Sequence, residues 1–281
     1  MNGMKSVVIT GASSGIGQAA AIRLAAANWR VFAAVLPSDA VAGFQAENIS
    51  IVPLDLTHAT SIQHAAEKIS DVIGNDGVQG LVNNAGINVP GVLEALSIDD
   101  LRRQFEVNVF GHLRLTQALL PLLRQTEKPR IVNMSSIMGK VAMPTLGAYS
   151  MSKHALEAMT DILRLELAPQ IQVCAIEPGA VQTPMTDAMP NMLDAAQTKM
   201  PASLQNYYSG LFAGMKKALQ TQAKTAVPPE LIVDCIWHAL TADNPKPRYT
   251  VGAAAKGLLI MRQFAPDAVG DVILRRVLGL K

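Results

Sequence analysis

The stretch KSVVITGASSGIG (residues 5–17) decides the fold. A short β-branched run, KSVVIT (5–10), ends in a glycine turn that opens directly into a helical pattern from about Gly15 to Asn28. Gly11, Gly15 and Gly17, with Ser13, Ser14 and Ile16 between them, let the backbone turn sharply. A phosphate can then approach the helix N-terminus, where free N–H groups and the helix dipole favour negative charge. The spacing G-x-x-x-G-x-G differs from the G-x-G-x-x-G of other dinucleotide-binding turns, and a merely tight strand-to-helix connection is the plainer reading. Its place after the first strand favours the nucleotide.

Working outward, the same rhythm repeats. Strands are expected at RVFAAV (30–35), ISIVPL (49–54), VQGLV (78–82), RIVNM (130–134), IQVCAI (171–176) and RYTVG (248–252). Between them fall a short helix after residue 35, helices near 59–74, 98–126, 147–168 and 228–241, and two apolar helical pieces at 254–263 and 266–278. Near-continuous apolar strands separated by amphipathic helices mean a parallel sheet covered on both faces. Right-handed crossovers make it an α/β, doubly wound sheet of Rossmann type, read as one domain over 1–281. After strand 171–176 the segment through residue 201 carries Pro178, Pro184, Pro190 and Pro201 along with Met185, Met189, Met192 and Met200. It reads as a long irregular lid over about 184–225, followed by a C-terminal extension over about 253–281.

Composition excludes several classes. Apolar residues make up 49% of the 281 and charged residues 16%, which places the chain among ordered globular proteins. A formal charge of +2 without a basic run argues against nucleic acid. Cys174 and Cys235 have neither a C-x-x-C nor a His-rich companion, so no disulfide framework and no metal site are expected. With no apolar stretch of 18 residues and no secretory signal at its start, the chain is expected to be cytoplasmic.

Chemistry gathers at the expected strand ends. Tyr149 and Lys153 stand four apart in AYSMSK, which on a helix puts them on one face. An ammonium beside a phenol favours the phenolate and brings proton exchange toward neutral pH. Alone, this pair reads as a packed tyrosine and a solvated lysine. It is accompanied, however, by Ser135 and Ser136 after a strand, by Asn108 in FEVNVFG, and by NNAG (83–86) after the fourth strand. Open α/β sheets bind ligands at these carboxyl ends.

Taken together, TG-x-x-x-G-x-G, NNAG, Asn108, Ser136, Y-x-x-x-K and Pro178-Gly179 followed by Thr183 resemble the short-chain dehydrogenase/reductase family from about Met4 to the last residues. The resemblance implies an enzyme moving a hydride between NAD(P) and an alcohol or ketone carbon. It implies Ser136 as the hydrogen-bond partner of the substrate oxygen, Tyr149 as acid/base, Lys153 as holder of the nicotinamide ribose and tuner of Tyr149, and Asn108 as support for a proton relay. Asp55, with Leu56 beside it, would face the adenine, and Asn84 the adenosine ribose. Pro178, Val181 and Thr183 would meet the carboxamide, and Ser135 has no assigned role. A homodimer or homotetramer paired through helices 98–126 and 147–168 is implied as well.

The RYTVG segment, the AAAK that follows it and the apolar tail are similar to retinol and hydroxysteroid dehydrogenases. Ser13 stands where some members of that branch carry an acidic residue. With Val35, Leu36 and Pro37 ending the second strand and no cation offered there, a mild lean to NAD is expected, with Asp39 able to reach the ribose hydroxyls. A lipophilic substrate is expected from Met138, Met143 and the lid methionines, which otherwise read as core fillers. The stretch 184–198 offers a substrate anion no cation, and Lys199 comes late in the lid. The tail 254–281 reads as a helix packed over the pocket or, with Arg262, Arg275, Arg276 and Lys281, as a membrane-surface element. A cofactor-binding regulator without turnover and a reductase of small carbonyl compounds are the alternative functions.

Overall fold

Strand β1 (Ser6–Thr10) is buried at every residue, as its unbroken apolar run requires of a strand covered on both faces. It lies inside a seven-stranded parallel sheet, between β2 (Arg30–Val35) and β4 (Gly80–Asn83), in a computed structural model that describes residues 4–39 and 43–280. The other strands are β3 (Ile49–Pro53), β5 (Arg130–Met134), β6 (Gln172–Pro178) and β7 (Arg248–Val251), in the order β3-β2-β1-β4-β5-β6-β7. Ile9 sits opposite Ala33 on one side and Val82 on the other. The order reverses between β1 and β4, and a crevice opens above their carboxyl ends.

Helices α1 (Gly15–Ala26) and α9 (Pro229–Thr241) cover one face, where Ala20, Leu24, Ile232 and Ile236 meet the inward side chains of β1 and β2. The other face is covered by α2 (Ala59–Ile73), α4 (His112–Leu123) and α5 (Gly147–Glu166), with Ile62, Ile69, Leu115, Leu119 and Leu163 in its core. Burial of one such side chain contributes roughly 1.5–3 kcal/mol. A buried polar chain sets the elements below the crevice. Asn83 donates to Thr116 (3.1 Å) and to Asn133 (2.9 Å), and Asn133 donates to Thr160 (2.9 Å).

Several expectations change. The helix expected over 98–126 is three pieces: α3 (Ile98–Phe105), a π-helical segment Glu106–Gly111, and α4. Gly111 sits inside that wider turn because a Cβ there would lie 2.6 Å from the Leu56 carbonyl oxygen. The fourth strand starts at Gly80 rather than residue 78. The short helix expected after β2 is absent from the described residues on either side of 40–42, and those three lie outside the described residues.

The irregular lid is a correction of larger consequence. It is helical: α6 (Pro184–Lys199), α7 (Ala202–Tyr207) and α8 (Ser209–Ala223). Proline suggested loop, yet Pro184 occupies the first helical position, where a missing N–H costs nothing, and Thr183 caps the helix by accepting from Thr186 N–H. Met189 and Leu193, four apart, then share the buried face. They join Met138, Met143, Leu146, Phe212 and Met215 in a third apolar cluster. The tail, α10 (Ala253–Phe264) and α11 (Asp267–Val277), packs on that cluster through Ala255, Leu258, Leu274 and Leu278 while Ile260, Phe264 and Val272 stay exposed. No helix among the described residues is long and apolar enough to cross a membrane.

Phe212 of α8 is fully buried, so Phe212→Ala leaves a cavity between the lid and the body of the protein. The expected cost is about 3–5 kcal/mol, read as a lower urea midpoint. A loss below about 1 kcal/mol would show that the lid cluster is not part of the cooperative core.

Candidate active site

The glycine turn is built for close approach. Gly11 and Gly15 have φ of +64° and +53°, a region that costs side chains strain, and a Cβ on Gly17 would lie 2.3 Å from the Gly11 carbonyl oxygen. Helix α1 therefore starts hard against the turn. Its N-cap Ser14 makes no side-chain cap and its first turn holds no acidic residue, so the first amides keep their need for an anion. A cavity of about 530 Å³ opens there, and Gly11, Ser13, Ser14, Gly15 and Ile16 line it. These features fit a dinucleotide's phosphates.

One hydroxyl that the motif reading overlooked holds this turn. Thr10 Oγ1 accepts the amides of Asn84 and Ala85, both at 2.9 Å, and Asn84 Nδ2 returns a bond of 2.9 Å to the Thr10 carbonyl. The Asn84 amide is thus spent on the turn itself, although the residue also lines the cavity. Thr10 was legible only as the threonine preceding the first glycine.

At one end the cavity is walled by Leu36, Asp39, Asp55, Leu56 and Thr57. Ser13 donates to Asp39 at 2.6 Å, which fixes a carboxylate beside the turn. Burial would raise the Asp55 carboxyl, but two hydrogen bonds from Thr57 outweigh it and hold the group below the usual range. At the other end stand Ser135, Ser136, Tyr149, Lys153, Pro178, Val181 and Thr183. Ser136 and Tyr149, thirteen apart in sequence, come together because the 3₁₀ turn Ile137–Gly139 and the start of α5 fold onto one another. Gly17 and Asn108 lie behind the cavity wall.

Asn108 is fully buried in the π-helical segment. Its Oδ1 accepts from Ile87 N–H at 2.9 Å, and its Nδ2 donates to the Ile87 carbonyl and to Ser152 Oγ, both at 3.1 Å. Lys153 is 3% exposed and donates to the Met134 carbonyl at 2.7 Å. Burial pulls its ammonium down to about 8, with Glu157 opposing. Nearby His112 is also fully buried, and burial and the Lys153 charge push it down to about 3, so it is neutral.

The electrostatics of Tyr149 run opposite to the sequence expectation. Burial raises the phenol above its ordinary value, and the Ser136 hydroxyl only partly offsets it. The Lys153 ammonium, 5.6 Å from the ring centroid, is drawn toward the Met134 carbonyl. Ser135 is buried, and its hydroxyl has no hydrogen-bond partner among the described residues.

A second cavity, about 710 Å³, shares Gly86, Ile87, Arg103 and Met185 with the first. Its walls include Val89, Val92, Leu96, Met192, Met200 and Leu204. The methionines therefore divide: Met138, Met143 and Met189 fill the third cluster, Met185 lines both cavities, and Met192 and Met200 belong to the cluster while also lining the second cavity. Lys199, though late in the lid sequence, lines this cavity too, as does Arg103.

A sequence model described as short chain dehydrogenase matches residues 5–194. The chain belongs to the short-chain dehydrogenase family. This short-chain dehydrogenase is 34% identical over 282 residues to retinol dehydrogenase 5 of Mus musculus, covering 97% of its own length and 88% of that relative. It is 36% identical over 284 residues to 17-beta-hydroxysteroid dehydrogenase type 6 of Homo sapiens, with the same coverage. It is therefore of the retinol and hydroxysteroid dehydrogenase branch, an NAD(P)-dependent oxidoreductase acting on alcohols. A crystal structure of a short-chain dehydrogenase from Streptomyces avermitilis superposes with a TM-score of 0.76 at 28% identity, covering 97% of this chain and 95% of that one.

Thr10→Val keeps the shape of the side chain but strips the acceptor from the two amides after β4. The short-chain dehydrogenase should lose about 1–3 kcal/mol of stability in urea unfolding and bind dinucleotide more weakly in calorimetry. Unchanged values of both would show that the clasp is dispensable.

Proposed function

We propose that this enzyme moves a hydride between NAD(P) and the carbinol or carbonyl carbon of a lipophilic secondary alcohol or ketone of steroid, retinoid or long-chain type. The observation that carries this reading is the second cavity, whose apolar wall of Val89, Val92, Leu96, Met192, Met200 and Leu204 outweighs the Glu94, Asp100, Arg103 and Lys199 that also line it, and which shares residues with the cavity that holds Ser136, Tyr149 and Lys153. The names of the two relatives support it. When bound, the dinucleotide supplies the hydride chemistry at its nicotinamide. Gly11, Ser14, Gly15 and Ile16 hold its phosphates, Asp55 and Leu56 flank the adenine, and Pro178, Val181 and Thr183 flank the carboxamide.

Ser136 orients the substrate oxygen, and Tyr149 passes the hydroxyl proton. Burial keeps the Tyr149 phenol protonated and makes its phenolate costly, so a cationic partner must come close for it to pass a proton in either direction. Lys153 is that cation, and it also holds the nicotinamide ribose. Asn108 steadies the Ile87 segment and the turn of α5 at Ser152. Helices α6 to α8 form the lid of the one domain that all these residues share. A homo-oligomer joined through α3, α4 and α5 belongs to the same reading, supported by exposed Phe110, Met151, Ile162 and Leu165; sedimentation at micromolar concentration measures it.

Tyr149→Phe should bind dinucleotide normally and lose about 10² to 10⁴ in turnover. In the unaltered enzyme kcat/KM should rise with apolar chain length or ring count, by up to about 0.8 kcal/mol per buried CH₂. Specificity that peaks with small charged hydroxy acids or sugars would overturn the substrate class.

Cofactor preference should lean mildly to NAD. A 2′-phosphate at the adenosine end would meet the Asp39 carboxylate that Ser13 holds there, while a 2′-hydroxyl can donate to it. Asp39→Asn should narrow the preference, and Michaelis constants for both dinucleotides measure it. A preference for NADP above about tenfold, or 1.4 kcal/mol, contradicts this reading.

A further inference from the structure

Beneath Lys153 lies a cluster of charges that the proposed reaction does not use. One helical turn on, Glu157 is 3% exposed, yet its carboxylate is far from unpaired. Lys140 Nζ approaches it at 2.9 Å from the turn after Ser136, and Arg248 Nε donates to it at 2.9 Å from β7. Arg248 also reaches Asp161 at 2.8 Å and Glu177 at 3.3 Å. Glu177, buried at the end of β6, accepts from Thr250 at 2.7 Å. Asp161 is shared with Arg164 at 2.9 Å.

The cluster thus ties together the segments carrying Ser136, Lys153 and Pro178, and it does so with charges. Surface ion pairs contribute little, but a carboxylate this buried acts through a low dielectric on any charge nearby. Gly139 shows how tight the packing is. A Cβ on it would lie 2.9 Å from Glu157 Cγ, 2.9 Å from Ser135 Oγ and 3.0 Å from the Lys153 carbonyl oxygen.

We propose that Glu157 is a positioning residue for the reaction: set by Lys140 and Arg248, one helical turn from Lys153 and as deeply buried, it keeps the Lys153 ammonium charged while the Met134 carbonyl orients it. This rests on the role given to Lys153 above. Among the described residues, the titratable groups around that ammonium are Tyr149 on its own helix, neutral His112 on α4 and, one helical turn on, buried Glu157 with its two cations. Among the described residues Glu157 is the carboxylate that favours the charged form of Lys153, and Lys140 and Arg248 oppose it. Loss of the Glu157 charge therefore makes Lys153 give up its proton at lower pH, and function that needs the ammonium fails earlier as pH rises.

The test follows kcat/KM and, independently, the calorimetric dissociation constant for reduced dinucleotide between about pH 6 and 10. Glu157→Gln should move the alkaline limb of both profiles to lower pH by about one unit or more. Glu157→Asp keeps the charge and should leave the limb near its original place even where the melting temperature falls. Lys140→Met, at a position one-third exposed, removes an opposing cation while Arg248 still pairs Glu157, and should move the limb the other way. The proposal is overturned if Glu157→Gln and Lys140→Met leave both limbs in place, or if Glu157→Asp shifts them as far as Glu157→Gln does. Profiles of the unaltered enzyme in which dinucleotide binding shows no alkaline limb would instead refute the role of Lys153 itself.

Discussion

Where the strand order reverses between β1 and β4, two neighbouring chains leave the sheet in opposite directions, and the crevice between them has no ladder to hold it. In this protein Thr10 spans that gap. Its hydroxyl takes both amides that follow β4, and Asn84 returns a bond to the Thr10 carbonyl. The glycine turn, the start of α1 and the segment 84–87 are fixed relative to one another by these contacts. Asn108 then carries the same frame across to α5, because it grips both Ile87 and Ser152. A π-helical turn is what brings Asn108 to that position, and the Leu56 carbonyl leaves Gly111 no room for a Cβ beside it.

Charge is handled by burial with compensation. Lys153 is nearly inaccessible, and desolvation pulls its ammonium down to about 8. The Met134 carbonyl and the Glu157 carboxylate work against that penalty. Arg248 is kept charged by Asp161 and Glu157 despite its own partial burial, and Glu177 is pushed upward by burial against its bond from Thr250. Such a cluster contributes little net stability compared with well-packed apolar groups, so its placement next to a reactive pair is more naturally a matter of electrostatics than of holding the fold.

The lid and tail form one apolar body with the turn after Ser136. Leu193, Phe212 and Met215 from the lid pack with Ile137 and Met138 from that turn and with Ala255 and Leu278 from the tail. Gly214 allows the last described residues to run close against α8, since a Cβ there would lie 1.9 Å from the Leu278 carbonyl oxygen. The second cavity is bounded by this body on one side and by residues 86–96 on the other, so the packing of the lid sets the size of that cavity.

The residues KSVVITGASSGIG and the repeating strand-helix pattern determined the doubly wound sheet without help, because local periodicity and glycine conformation are properties of neighbouring residues. The strands at 30–35 and 130–134 have the expected bounds for the same reason. The family motifs also placed Ser136, Tyr149 and Lys153 on one cavity wall. Prolines misled in the lid, since the same residue starts a helix or breaks one according to its position. What only the tertiary structure decided are the relations between distant segments. The Thr10 clasp joins residues 74 apart, the Ser13–Asp39 bond joins two loops, and the Glu157–Arg248 pair spans 91 positions. The direction of the Tyr149 shift was likewise undecidable from Y-x-x-x-K. Spacing places an ammonium near a phenol, but only the folded surroundings decide whether burial or that neighbour prevails.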